Sequence, residues 1–286
     1  METLSDISVI IPTFNRAHVL PRALNSVLAQ TLRPLEVLVV DDGSTDATNA
    51  LLHREYADAT LPPVRLLVCP QRGVSAARNH GVIESSGQWI ALLDSDDAWT
   101  PEKLAHQYRA LQRYPDHKIC HTDEIWIRNG RRVNQMKKHA KRGGWIFNEC
   151  LPLCCISPSS VIIHRSIFED VGLFDENLPV CEDYDLWLRV ASRYPVLLVD
   201  EKLTIKYGGH PDQLSHKLWG MDRFRLHALE NILAAGHLDE DMRKAAETTL
   251  RSKLDIYLQG ARKRGRMSEV RAYEERFAHH LGEHSA

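Results

Sequence analysis

Asp94-Ser95-Asp96-Asp97 places three carboxylates and a hydroxyl directly after the apolar run Trp89-Ile90-Ala91-Leu92-Leu93. Crowded carboxylates repel one another, so such a cluster needs a cation to neutralise it. Oxygen-only ligands suit Mg²⁺ or Mn²⁺, ions that commonly hold a substrate diphosphate as well as the protein. The plain alternative is an acidic turn in water, since a D-x-D-D string is too short to be specific. Two further acid pairs ask the same question. Asp41-Asp42 follows Glu36-Val37-Leu38-Val39-Val40, and Glu182-Asp183 opens a helical pattern that carries Leu186, Leu188 and Val190. Acids in a first helical turn have a structural use, because they offset the helix dipole. As chemistry, Glu182-Asp183 would be a general base, with one acid raising the pKa of the other.

These groups need elements to hold them at one edge. Ser8-Val9-Ile10-Ile11, Glu36–Val40, Val64–Val68 and Trp89–Leu93 read as strands that are apolar throughout. Between them lie helical patterns: Leu20, Ala23, Leu24, Val27 and Leu28; Asp46 to about Ala57; and Val74–Glu84, entered through Arg72-Gly73. Pro101-Glu102 opens a fourth helix. This alternation predicts an α/β fold, a mostly parallel sheet with helices on both faces. Ligands of open α/β sheets bind at the carboxyl edge of the strands. There Pro12-Thr13-Phe14-Asn15 and Asp41-Asp42-Gly43-Ser44 lie beside Asp94–Asp97, offering an aromatic for a base and polar groups for a ribose. Ser44 and Asp46 are expected to be ordinary turn and cap residues. No strand is followed by G-x-G-x-x-G or G-x-x-x-x-G-K-[ST], which removes the dinucleotide-binding and P-loop readings.

Past residue 125 the pattern becomes irregular to about 160, with further strands at Val161–Ile163 and Val196–Val199. Beyond Trp219 the chain turns helical, with Met242, Ala246, Leu250, Leu254, Tyr257 and Leu258 on one face. The expected division is 1–215 as the α/β domain and 216–286 as a helical extension whose apolar stripe could support an oligomer.

Composition sets outer bounds. The 286 residues are 43% hydrophobic and carry a formal net charge of −2, which argues against a general nucleic-acid binder. No apolar run approaches the roughly 20 residues of a membrane span, and Met1–Asp6 does not open a secretory signal, so a cytoplasmic location is expected. The six cysteines include no C-x-x-C pair and read as reduced, mostly buried thiols; Cys150, Cys154 and Cys155 are poorly spaced for zinc. Arg128–Arg142 holds seven Arg or Lys and no acid. Such a run is either a solvated loop or a contact for an anionic acceptor or the cytoplasmic face of a membrane. No aromatics interleave with it, so nucleic acid is not its expected partner.

Five strings then occur in order: Ile10-Ile11-Pro12-Thr13-Phe14-Asn15, Val40–Asp46, Gly73-Val74-Ser75-Ala76-Ala77-Arg78-Asn79, Leu93–Trp99 and Cys181–Arg189. Together they resemble the family 2 inverting glycosyltransferases, which have the GT-A fold, over about residues 5–215. The resemblance implies transfer of a sugar from a nucleotide-diphosphate donor, most often UDP-linked, with a divalent metal. The acceptor would be a saccharide or lipid-linked saccharide, as in cell-surface polysaccharide or glycolipid synthesis. It places Pro12, Phe14 and Asp42 at the base, with Thr13 and Asn15 in the same loop and Gly73 and Arg78 near the nucleotide. Arg78 has a structural alternative, an ion pair to a strand-end aspartate. Asp96 matches the metal ligand, Asp94 would face the ribose or the metal's water shell, and Ser95 would contribute backbone. Asp97 would only start the next turn. Asp183 matches the base, with Glu182 orienting the acceptor or supporting Asp183. Trp187 would floor a sugar site or belong to the core. His210 would be a late metal ligand or a diphosphate contact, although Gly208 stands where relatives carry arginine. Two competing readings are an aspartyl phosphotransferase using Asp94 and a non-catalytic sugar-nucleotide-binding or interaction module. The first expects Thr or Val where the chain has Ala98.

Overall fold

The computed structural model describes residues 5–58, 62–209 and 219–278. Its first half follows the alternation of the sequence. Strands β1 (Ile7–Thr13), β2 (Glu36–Asp41), β3 (Val64–Val68) and β4 (Trp89–Leu92) pair in parallel in the order β3-β2-β1-β4. Every residue of β1 and β2 is buried, which is why these segments read as unbroken apolar runs. Helix α1 (Leu20–Leu28) takes proline in its first turn and buries Leu20, Ala23, Leu24 and Val27. Helices α2 (Thr48–Glu55) and α3 (Val74–Glu84) complete the crossovers. Helix α3 lies very close to the sheet. A Cβ added at Gly81 would sit 2.5 Å from Ile10 Cγ2 and 3.1 Å from Val40 Cγ2.

The second half is a mixed sheet. After β5 (Ala98–Trp99) and α4 (Lys103–Arg113) comes β6 (Ile119–Arg128), joined by a hairpin to β7 (Arg131–Val133). A 3₁₀ turn (Lys137–His139), a short helix α5 (Phe147–Cys150) and a second 3₁₀ turn (Pro158–Ser160) lead into β8 (Ile162–His164), α6 (Arg165–Val171), α7 (Glu182–Ala191) and β9 (Leu197–Gly208). Strand β8 is antiparallel to both β4 and β6, β9 runs parallel to β6, and β5 is antiparallel to β9. The region expected to be irregular therefore contains the end of a long strand and a hairpin. Alternation in β6 is hidden because Thr122 and Glu124 are polar yet buried.

Helices α8 (Asp222–Ala234), α9 (Glu240–Lys263) and α10 (Met267–Arg276) follow. Asp239 caps α9 by accepting from the Met242 N–H at 2.7 Å, and its first-turn acids and last-turn basic residues both favour the dipole. The stripe Ala246, Leu250, Leu254, Tyr257 and Leu258 is buried in the same apolar cluster as Leu226, Leu229 and Trp187. That stripe is thus used inside the chain. Trp187, 1% exposed, is a core residue. Among the described residues no helix is long and apolar enough to cross a membrane.

Candidate active site

The carboxyl ends of β1, β2 and β4 lie side by side, with Thr13 in register with Asp41. With the starts of α3 and α7 they enclose a cleft of about 660 Å³. Pro12, Thr13, Phe14, Asn15, Asp42, Gly73, Arg78, Asp94, Ser95, Asp96, Glu182 and Asp183 all line it. His210 lies outside the described residues.

Much of this wall is self-clasped. Asn15 adopts φ 54, and its Oδ1 accepts from the N–H groups of Thr45 at 2.8 Å and Asp46 at 3.2 Å. Its own N–H donates to Ser44 Oγ at 2.8 Å, so Asn15 ties the first loop to the second. Asp41 accepts from the Ser44 N–H and hydroxyl. Asp42 accepts from the N–H groups of Arg72 at 2.8 Å and Gly73 at 2.9 Å, which fixes the turn into α3. Gly73, at φ 96, supplies a conformation that side chains resist. Two groups of the first loop stand outside this clasp. Phe14 is 36% exposed, and the Thr13 hydroxyl is buried without a hydrogen-bond partner.

Arg78 connects the two acidic sites. Its guanidinium donates to Asp94 Oδ1 at 2.7 Å and to Glu182 Oε1 at 2.6 Å, and it is 3% exposed. Burial works against ionisation of Asp94, but Arg78 and then Lys206 hold its pKa below the ordinary value. Burial pushes Glu182 up to about 7 against the pull of Arg78, and neighbouring Asp183 adds to the rise.

Asp97 is not a surface turn residue. It is 1% exposed and accepts from Ser159 Oγ at 2.6 Å and the Tyr207 N–H at 3.1 Å, with Lys206 Nζ at 3.8 Å. Burial pushes it up to about 7 despite Lys206, and Asp96 and Asp94 add to the rise. Its role is to anchor the acidic loop to β9.

A divalent cation of the Mg²⁺ or Mn²⁺ kind takes one or two carboxylates and completes its shell with water and substrate phosphate. Asp96 lines the cleft with Arg16 Nη2 at 4.0 Å from its Oδ2. Asp94 is committed to Arg78, and Asp97 to Ser159 and β9. No group of three His, Cys, Asp or Glu among the described residues could hold a metal. An ion at this loop would rest on Asp96 and on ligands supplied by water and substrate phosphate.

Asp183 stands where the cleft meets a second cavity of about 280 Å³. Cys181 turns the chain into α7 at φ 63, a left-handed conformation that costs a non-glycine residue of order 1 kcal/mol. The second cavity has Trp126, Ile127 and Ile156 as apolar wall, with Glu124, Lys141, Cys154 and Lys206 as polar groups. Lys141 Nζ lies 2.9 Å from Glu124 Oε1, and Trp126 Nε1 donates to Glu124 Oε2 at 2.7 Å. Burial opposes ionisation of Glu124, but Lys141 and then Lys206 hold it down at about 2. Lys206 lines both cavities, and Asp97, Glu124, Asp94 and Asp183 keep it charged in spite of burial. None of these second-cavity residues stands in a local motif. The findable signal was the alternation Thr122, Glu124, Trp126, Arg128 along one face of β6.

A family model described as "Glycosyl transferase family 2" matches residues 8–172, more than half of the chain. The chain belongs to glycosyl transferase family 2 and has the GT-A fold. It is 31% identical over 218 residues to an uncharacterized glycosyltransferase of Rickettsia conorii, covering 74% of this chain and 35% of that protein. The chain thus spans about a third of that relative's length. It is 30% identical over 191 residues to the UDP-Glc:alpha-D-GlcNAc-diphosphoundecaprenol beta-1,3-glucosyltransferase WfgD of Escherichia coli, covering 64% of this chain and 69% of that one. Among solved structures, S. aureus TarS in complex with UDP-GlcNAc superposes with a TM-score of 0.69 at 21% identity, over 94% of this chain and 77% of that one. The mannosyltransferase PcManGT from Pyrobaculum calidifontis, in complex with GDP-Man and Mn²⁺, gives 0.64 at 16% identity, over 91% and 76%.

Proposed function

We propose that this chain is an inverting glycosyltransferase that moves a sugar from a nucleotide-diphosphate donor, with UDP as the nucleotide, to a saccharide hydroxyl. The observation that carries the reading is the meeting of two cavities at one carboxylate, Asp183. The larger cleft takes the donor. Phe14 presents a ring for the base. Asp42 and Gly73 shape the wall against the nucleotide, and Asp94 and Ser95 edge the ribose. Asp96 would hold a divalent cation, which when bound offsets the charge of the departing diphosphate.

The acceptor enters through the smaller cavity. Its hydroxyl attacks the anomeric carbon on the face opposite the diphosphate as the bond to the diphosphate oxygen breaks, which inverts that carbon. Asp183 takes the hydroxyl proton during this attack. Glu182, tied to Arg78, holds the start of α7 against the donor wall and does not take the proton. The phosphotransferase reading would need Asp94 as nucleophile, and its pairing with Arg78 disfavours that role. The basic segment 128–142 leads from β6 toward the smaller cavity through Arg128, His139 and Lys141. It supports an acceptor that carries an anion, such as a lipid-linked saccharide at a membrane's cytoplasmic face. Cell-surface polysaccharide or glycolipid synthesis is the fitting setting.

A thermal-shift screen of UDP-glucose, UDP-GlcNAc, GDP-mannose and the free nucleotides, each with and without Mn²⁺, tests the donor assignment. The reading expects one UDP-sugar to raise the melting temperature, and more so with Mn²⁺. No shift with any nucleotide at millimolar concentration would reject it.

A further inference from the structure

We propose that Cys154 is a positioning residue for Asp183, a thiol that orients the carboxylate toward the acceptor cavity. The proposal rests on the reading of Asp183 as the proton acceptor and deepens it.

Two contacts fix the Asp183 carboxylate. Oδ1 accepts from the Tyr184 N–H at 2.7 Å, and Oδ2 accepts from Cys154 Sγ at 3.2 Å. Among the described residues, Cys154 is the side chain that hydrogen-bonds Asp183. The nearby arginine is engaged elsewhere, since Arg78 spends both terminal nitrogens on Glu182 and Asp94. Cys154 lies twenty-nine residues from Asp183 in sequence and reaches it across the wall of the acceptor cavity. It sits in the loop that follows α5, and no residue of 147–157 lines the nucleotide cleft.

The chemistry favours a thiol here. Hydrogen bonds to the charged form of a carboxylate lower its pKa, and a hydroxyl or guanidinium does so strongly. A base of lowered pKa takes a proton poorly. S–H is a weak donor and orients with a smaller loss of basicity. The single S–H lies between Asp183 and the Ile156 carbonyl at 3.1 Å, which divides its donation further. The thiol also stays protonated, because burial and the charge of Asp183 raise its pKa well above the ordinary thiol value.

The groups that act on this pair are Glu182 beside it on α7, Lys206 on β9, Lys141 and Cys155 near the thiol, and Cys181 at the turn into α7. Arg225 on α8 acts on Cys181 and Tyr184 of the same turn. None of them is altered by the substitutions below.

The test has two arms. The first needs no acceptor: iodoacetamide labelling of the full chain at pH 8.5, with the modified cysteine located by peptide mass spectrometry. Asp183→Asn removes the charge that holds the thiol protonated, so Cys154 should label at least about tenfold faster relative to Cys155. An unchanged ratio would overturn the contact. The second follows UDP release from UDP-glucose or UDP-GlcNAc with Mn²⁺ and water as acceptor, over pH 5–9. Cys154→Ser should keep release within about threefold and move the acid limb to lower pH. Cys154→Ala should lower kcat about tenfold and move that limb to higher pH, while UDP affinity stays as in the parent. Unmoved acid limbs in both variants would overturn the positioning role. Full release by Asp183→Asn would remove the base assignment itself, a separate outcome that the labelling arm does not touch.

Discussion

Replacing Arg78 with methionine should be among the most damaging single changes in this chain. The guanidinium is 3% exposed and makes charge-assisted bonds of 2.6 Å to Glu182 and 2.7 Å to Asp94. Breaking a buried ion pair from one side leaves an uncompensated charge and costs about 3–5 kcal/mol. Most of that cost falls on Glu182, whose side chain is 9% exposed, whereas Asp94 at 27% can draw on water in the cleft. The loss depends on pH in a definite direction. Glu182 is raised in the folded protein from 4.5 to about 7 even with Arg78 present. A raised folded pKa gives stability that is present below the unfolded value and lost as pH rises through the folded one. Removing the cation raises Glu182 further, so the deficit of Arg78→Met should be larger at pH 8 than at pH 5. Urea unfolding at both pH values measures this. A variant within about 1 kcal/mol of the parent at pH 8, or a deficit that does not shrink at pH 5, would show that Arg78 does not carry the charge of Glu182.

Other changes probe separate parts of the account. Lys103 is fully buried over the Trp99 ring at 4.0 Å, and burial pushes its pKa down to about 7. Lys103→Met should stabilise by about 1–4 kcal/mol at pH 7, less whatever the indole face contributes. That advantage should fall as pH rises from about 7 toward 10.5, because the unfolded lysine binds a proton in this window that the folded one has shed. Gly81→Ala should destabilise by about 1–3 kcal/mol, because its Cβ would meet Ile10 and Val40 on the sheet beneath α3. Trp126→Ala should raise the acceptor KM several-fold while UDP affinity, measured calorimetrically, stays constant, since its ring lines only the smaller cavity.

Which features could be read without a structure follows from burial. Strands β1, β2 and β4 are covered on both faces and carry continuous apolar runs, and α3 shows its full extent, Val74–Glu84, between a glycine turn and the next strand. Strand β6 showed only its apolar start around Cys120, because farther along its inward face lines the site. Thr122 and Glu124 are buried as polar groups, which breaks the hydrophobic pattern that marks a strand. The donor-side loops were legible as chemistry but not as individual roles. Asn15 and Asp42 spend much of their capacity holding neighbouring backbone, and Asp97 is an internal anchor. On the acceptor side Asp183 and the basic run 128–142 were legible, but not the contacts that organise them. Glu124 meets Lys141, and Cys154 meets Asp183, through tertiary contacts that no local spacing announces.

Asp96 and Asp183 divide the labour between metal and proton, and one paired measurement tests that division. Transfer from the UDP-sugar found by the thermal screen, and UDP affinity with Mn²⁺, are compared in Asp96→Ala and Asp183→Asn. Asp183→Asn should lower transfer by at least about 10²-fold, the scale of general-base catalysis, with UDP affinity unchanged. Asp96→Ala should lose both transfer and the Mn²⁺-dependent part of UDP affinity. Transfer at the parent rate by Asp183→Asn, or Mn²⁺-dependent UDP binding that survives Asp96→Ala, would contradict the account.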